Sequence, residues 1–199
     1  MTGGRPPLFS SAVRIENRGH LRQIGGVRRA IFLSFLLAAG ALTGCDKPIP
    51  ATAATEESIN TEPTHAQPKL QTMKLYVGAE TLEAELALTA RQEQTGMMFR
   101  TNFTDESAML FVFSQPYRPS FWMKNCPDSL SAAYISPDGV IQEIHHLEQN
   151  DTNPVVAARD DIEFVLETKE GWFGRHNIAV GANIQTEKGP LAQVFVPRR

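Results

Sequence analysis

The sequence predicts a mainly β fold, a small closed or nearly closed β-barrel with one or two short helices. Three observations carry that prediction. Apolar and polar residues alternate with period two over Leu82–Leu88, the run Met109–Phe113 is apolar throughout, and turn-forming residues recur at short intervals. Alternation suits a strand with one wet face, and an unbroken apolar run suits a strand covered on both.

Met73–Val77 and Leu82–Leu88, joined through Gly78-Ala79, form the first expected hairpin. Thr89-Ala90-Arg91-Gln92 then opens a short helix, because Thr and Gln three residues apart can each satisfy a free amide of the first turn. Gly96 ends or bends it. Met109–Phe113 and Phe121–Met123 follow as strands. Ser136-Pro137-Asp138-Gly139 is a turn between strands Ala132–Ile135 and Val140–Leu147, since proline presets one torsion and glycine accepts a positive one. Phe164–Glu167 is a later strand and Gly171–Asn177 a short helix or turn. Ala182–Thr186 and Leu191–Val196 are expected as the closing strand pair. About eight to ten short strands with little helix favour closure, which hides sheet edges.

The chain has 199 residues, a formal charge of −3, 42% hydrophobic and 21% charged residues, which suits one globular domain with tails. Cys45 and Cys126 are its two cysteines, too few for a disulfide framework or a four-cysteine zinc site. Ala30–Ala41 is an apolar run preceded by Arg28 and Arg29, the order of a secretory signal peptide. It is shorter than the roughly 20 residues a spanning helix needs. The run ends Leu42-Thr43-Gly44-Cys45, a bacterial lipobox pattern in which the Cys45 thiol accepts the lipid. Lipid chains anchor without spanning, so the membrane is an expected partner. Asp46 after the acceptor favours retention in the inner membrane, the outer membrane being the alternative. Residues 1–27 precede any apolar run, consistent with true initiation near Leu21 or Val27.

The domain boundaries follow. Residues 1–44 are an N-terminal extension with the lipoprotein signal, 45–69 a flexible linker rich in Pro, Ala, Thr and Glu, and 70–199 the folded domain. The first 44 residues hold six of the 19 basic and one of the 22 acidic side chains, so the exported part carries −8. That balance works against nucleic acid as a partner.

Gly96-Met97-Met98-Phe99-Arg100, Met109–Phe113, Phe121-Trp122-Met123-Lys124-Asn125, Glu163–Glu167 and Gly171-Trp172 occur in an order and spacing that resembles the bacterial and archaeal family of domain of unknown function 192. The resemblance covers Leu75 to Ile184. It implies a small β-barrel like those of riboflavin synthase and translation factors, often behind an export signal, and no assigned activity. Family members usually continue with threonine and a Pro-Leu-Asp-Ile-like strand, whereas this chain reads Cys126-Pro127-Asp128-Ser129-Leu130-Ser131. Cysteines that many members carry in the loop equivalent to Glu148–Asp160 are absent here, so Cys126 has no disulfide partner there.

Arg100, Trp122, Lys124 and Asn125, with Trp172 and Arg175, are the polar and aromatic residues expected at one barrel mouth. Strand alternation would send Trp122 and Lys124 to one face and Met123 and Asn125 to the other. As a pocket they would hold an anionic or hydroxylated small ligand against an indole. As scaffold, Trp122 would fill the core while Lys124 and Asn125 satisfy nearby carbonyls. Met97, Met98, Met109 and Met123 with Cys126 and His145-His146 form a soft-ligand set for copper(I), set against their use as core filler. Cys126 lacks a neighbouring catalytic motif, and neither Asp160-Asp161 nor Glu83/Glu85 makes a general acid and base pair. The sequence reading is thus an exported, lipid-anchored envelope protein acting as a non-catalytic binding or accessory module. No cofactor, catalytic residue or metal is assigned; an enzyme acting on a small molecule at the barrel mouth, or a copper(I) carrier, are the alternatives.

Overall fold

The computed structural model describes residues 61–195. The signal segment, Cys45, Asp46 and the linker up to residue 60 lie outside them.

Strands β1 (Thr72–Val77) and β2 (Glu80–Ala87) pair antiparallel with Leu75 opposite Leu82. Gly78, at φ +61, opens their two-residue loop, and a Cβ there would sit 2.8 Å from Ile178. Helix α1 (Ala90–Thr95) starts on the expected capping box, with both Thr89–Gln92 hydrogen bonds present, and ends at Gly96 with φ +47. This helix carries the chain back, so β3 (Ala108–Tyr117) lies parallel to β2. Every other pairing is antiparallel. The remaining elements are β4 (Ser120–Phe121), β5 (Leu130–Ile135), β6 (Ile141–Leu147), β7 (Val155–Val156), β8 (Ile162–Lys169), α2 (Trp172–Arg175), β9 (Ile184–Thr186), β10 (Gly189–Pro190) and α3 (Leu191–Phe195).

Eight strands form one strongly curled sheet in the order β10-β9-β1-β2-β3-β8-β5-β6, while β4 and β7 make a separate ribbon. The fold is mainly β. Near the β5–β6 turn the two ends of the sheet meet: Val140 bridges to Asn183, Ile141 N–H donates to the Ala182 carbonyl at 2.9 Å and Ile184 N–H to the Gly139 carbonyl at 2.8 Å. Gly139 has φ +84, and a Cβ there would lie 2.8 Å from the Ile184 carbonyl oxygen, so this closure depends on glycine.

Two apolar clusters cover the two faces of the sheet. Leu75, Leu86, Leu110, Ile135, Phe164 and Leu166 pack with Trp172 and Phe173 of α2 and with Leu191. On the other face Met109, Phe111, Ala132, Tyr134 and Val165 pack under Met97, Met98, Phe121, Met123 and Cys126. The central strands β3, β5 and β8 are therefore covered twice, which is why Met109–Phe113 shows no polar alternation.

Two expected elements differ. Leu191–Phe195 is helix rather than a closing strand: Leu191, Val194 and Phe195 stand at helical spacing and all pack on the first cluster. The strand expected through Phe121–Met123 stops at Phe121. Met123 N–H donates to the Asp151 carbonyl at 2.7 Å, Cys126 N–H to the Met123 carbonyl at 3.0 Å, and Asn125 sits at φ +60. These turns replace the strand alternation expected for Trp122–Asn125.

Residues 61–69 also depart from a free linker. Pro63 is buried, the Gln67 amide donates to the carbonyls of Gln92 at 3.2 Å and Gly96 at 2.9 Å, and Arg91 Nη1 donates to the Thr61 carbonyl at 2.6 Å. A segment with too little apolar area for a core of its own is held by the domain's polar side chains.

Candidate functional site

A groove of about 990 Å³ opens beside β2. The outward side chains of Thr81, Glu83 and Glu85 form one wall, the loop Arg100–Ser107 a second, and Trp172 with His176 a third. Gln67 and Lys69 of the docked segment border it. The loop is fastened from outside: Arg175 pairs with Asp105 through two hydrogen bonds of 2.6 and 3.3 Å, and Lys169 Nζ donates to the Phe103 carbonyl at 2.6 Å.

Arg100 is not a free cation. Its guanidinium meets both oxygens of Glu85 at 2.5 and 3.0 Å and reaches the Pro68 carbonyl at 3.3 Å. Burial alone would raise the Glu85 carboxyl, but hydrogen bonds from Arg100 and from the Leu70 amide outweigh it and hold the group below its ordinary value. Arg100→Ala strands that half-buried carboxylate. We expect a loss of about 2 kcal/mol, allowing for the pair's partial exposure. Lys124→Ala should change stability by less than about 1 kcal/mol. Urea denaturation of the two variants side by side checks both.

Trp172 is 2% exposed, stands edge-on to Phe173 at 5.3 Å and is stacked by His176 at 4.4 Å. Most of that indole is therefore core, and His176, whose Nδ1 lies 3.5 Å from Glu80, presents the accessible ring beside it. Arg175 stands at the rim, neutralised by Asp105.

Trp122, Lys124 and Asn125 lie outside this groove. Lys124 Nζ sits 5.5 Å from the centre of the Trp122 ring and forms an ion pair with Glu62. Trp122 is buried, and its indole N–H has no hydrogen-bond partner among the described residues. The Asn125 carbonyl accepts from Phe99 N–H at 2.7 Å, which ties the Gly96–Arg100 segment to the Phe121–Asn125 segment. The six residues expected at one mouth thus divide: Arg100 and Trp172 line the groove, Arg175 buttresses it, and the other three form a separate corner.

Five carboxylates, Glu80, Glu83, Glu85, Asp105 and Glu106, line the groove against two cations, Lys69 and Arg100. Thr72, Thr81, Thr101, Asn102, Thr104 and Ser107 add hydroxyl and amide groups. The lining is net acidic and rich in hydroxyl and amide groups, with Arg100 held by Glu85 and Asp105 by Arg175. Sequence reasoning passed over Asp105 and His176 and weighed Glu85 only as an acid–base partner of Glu83. Fifteen residues separate Arg100 from Glu85 and seventy separate Arg175 from Asp105, so no local pattern announces either pair.

Of the buried carboxyls elsewhere, Glu93, Glu163 and Glu167, two are shifted by burial. Glu167 faces the second cluster between Met109 and Ala132, and burial pushes it up to about 8; Glu93 on α1 is pushed by burial up to about 7. One oxygen of each lacks a hydrogen-bond partner. Tyr117, whose hydroxyl is also unpartnered, is raised chiefly by burial and then by Glu93.

Residues 73–186 match the model of a family designated DUF192 and described as "Uncharacterized ACR". The chain belongs to the DUF192 family. The match spans the curled sheet from β1 to β9 and leaves the docked segment 61–69 outside. Among solved structures, a protein of unknown function from Novosphingobium aromaticivorans DSM 12444 is 29% identical, with a TM-score of 0.56 over 60% of this chain and 90% of the other. A proposed transcription regulator from Sinorhizobium meliloti 1021 is 24% identical, with a TM-score of 0.57 over 61% of this chain and 98% of the other, and shares the fold. No curated protein matches this chain.

Proposed function

We propose that this DUF192 protein is exported, lipid-anchored at Cys45, and serves the bacterial envelope as a non-catalytic binding or accessory module whose ligand site is the groove beside β2. The observation that carries the binding reading is the groove itself, a cavity of about 990 Å³ lined by hydroxyl, amide and carboxylate groups. Its volume lies within the range of small-molecule sites. The lipobox pattern at Leu42–Cys45 supports the anchor, Asp46 the inner membrane, and the formal charge of −8 on the exported part a role away from nucleic acid.

Two measurements test the two halves. Radiolabelled palmitate should mark the wild-type chain and not Cys45→Ala; an unmarked wild type ends the anchor reading. Mass spectrometry of small molecules co-purifying with the membrane-extracted protein should find a hydroxylated or cationic compound that Thr81→Trp, which fills the groove, does not retain. Equal recovery from both proteins would remove the groove as the site.

A second reading has one observation in its favour. Met97, Met98, Met109, Met123 and Cys126 share one buried cluster, whereas His145 pairs with Glu143 and His146 with Glu148 and Glu170. Thioethers and a thiol at close packing are both core filler and soft ligands. As filler they take up no copper(I) in an anaerobic titration against a competing chelator. Stoichiometric uptake that protects Cys126 from alkylation would establish the carrier reading.

A further inference from the structure

We propose that the corner formed by Lys124 and Trp122 is a carboxylate-recognition site for an extended acidic peptide segment, and that residues 61–68 of this chain occupy it in cis as a displaceable strap. This site adjoins the groove, with Arg100 and Gln67 common to both, and its charge-selective contact at Lys124 does not depend on the groove being filled.

The strap makes the contacts a bound peptide would make. It has no helix or strand of its own. The Glu62 carboxylate pairs with Lys124, whose ammonium is in turn held 5.5 Å from the Trp122 ring centre. Arg91 donates to the Thr61 carbonyl and Arg100 to the Pro68 carbonyl. Those two contacts read main chain, so they accept any sequence; the acid on Lys124 is the charge-selective one. The strap's own Gln67 amide returns two bonds to the carbonyls at the end of α1.

The division between receptor and occupant coincides with the family boundary. Arg91, Arg100, Trp122 and Lys124 fall within the matched span 73–186, whereas the strap lies before it. Glu62 is 62% exposed and Lys124 30% exposed, so the pair contributes little stability and can exchange with a competing carboxylate. A covalently attached segment competes at an effective concentration in the millimolar range, so a partner must either bind more tightly or find the strap released.

The test uses the mature chain carrying Cys45→Ser and a fluorescent peptide with the sequence of residues 60–68. Fluorescence anisotropy should show weak binding to this parent and binding stronger by about tenfold when Glu62→Lys releases the strap. Adding Lys124→Ala to Glu62→Lys should weaken it by about fivefold, as should replacing glutamate by glutamine in the peptide. Amide exchange over 61–68 should accelerate in Glu62→Lys and in Lys124→Glu and return to the parental rate in the charge-swapped double variant, which shows that the domain has stayed folded. Equal peptide affinity for the parent and Glu62→Lys, or binding indifferent to Lys124, overturns the proposal.

Discussion

The mature protein should lose stability as pH rises from about 4.5 to about 8, by an amount on the order of 5 kcal/mol. The cause is the pair of buried carboxyls. Burial raises Glu93 to about 7 and Glu167 to about 8, so between their ordinary value and these values the folded chain keeps protons that the unfolded chain has released. Their contribution is fully present below the ordinary carboxylate value and is lost as pH climbs through the folded values. Glu85 and Glu143 act in the opposite sense. Burial works to raise both, but hydrogen bonds from Arg100 and from His145 respectively hold them low, so their contribution fades as pH falls below the ordinary value. Maximum stability is therefore expected near pH 5. Urea denaturation at about pH 5 and about pH 8 measures the difference, and the double variant Glu93→Gln, Glu167→Gln should flatten it. A parent profile already flat over this range would mean that neither carboxyl is held protonated.

Trp172→Ala should cost about 3–5 kcal/mol in urea denaturation. The indole is 2% exposed, lies in the first apolar cluster and supports the stacked ring of His176, so its removal opens a large cavity under the groove wall. The sequence reading placed Trp172 among ligand-contacting residues, and a platform exposed to ligand would be replaced at little cost. His176→Ala separates the roles. It leaves the indole in place, so it should weaken retention of a groove ligand with a stability change of less than about 1 kcal/mol. A large loss from His176→Ala together with a small one from Trp172→Ala would reverse the assignment.

What was legible in the chain was local. The Thr89–Gln92 capping box, the Gly78 loop and the Ser136–Gly139 turn each depend on residues within a few positions of one another, and each is found where expected. Period two over Leu82–Leu86 showed which side of β2 is buried, because alternation records one covered face, but the pattern breaks at its end, where Ala87 is buried in the second cluster and Leu88 is exposed. Leu191–Val196, expected as a strand, is helix over Leu191–Phe195 for a related reason: so short a run is too few residues for periodicity to separate strand from helix, and only the packing of Leu191, Val194 and Phe195 decides it. The strand through Phe121–Met123 failed because a carbonyl at Asp151 captures the Met123 amide. A distant acceptor leaves no trace beside the residue it binds.

The candidate site followed the same division. Arg100, Trp122, Lys124, Asn125, Trp172 and Arg175 stood out as residue types, yet a guanidinium and an indole look alike in sequence whether they meet a ligand or a neighbour. Their distribution between two places, and the carboxylate that each of Arg100, Lys124 and Arg175 meets, arose only when the sheet curled.

Sequence alone determined the mainly β class and the positions of its principal strands, because hydrogen-bonded turns, caps and pleat alternation act over a handful of bonds, while the family followed from the order and spacing of motifs such as Gly96–Arg100 and Phe121–Asn125. Tertiary structure decided the acid-rich character of the groove, the double covering of β3, β5 and β8, and the docking of 61–69 beside Lys124. These depend on charges and apolar faces brought together across tens of residues, and such energies exist only once the chain has closed the distance between them.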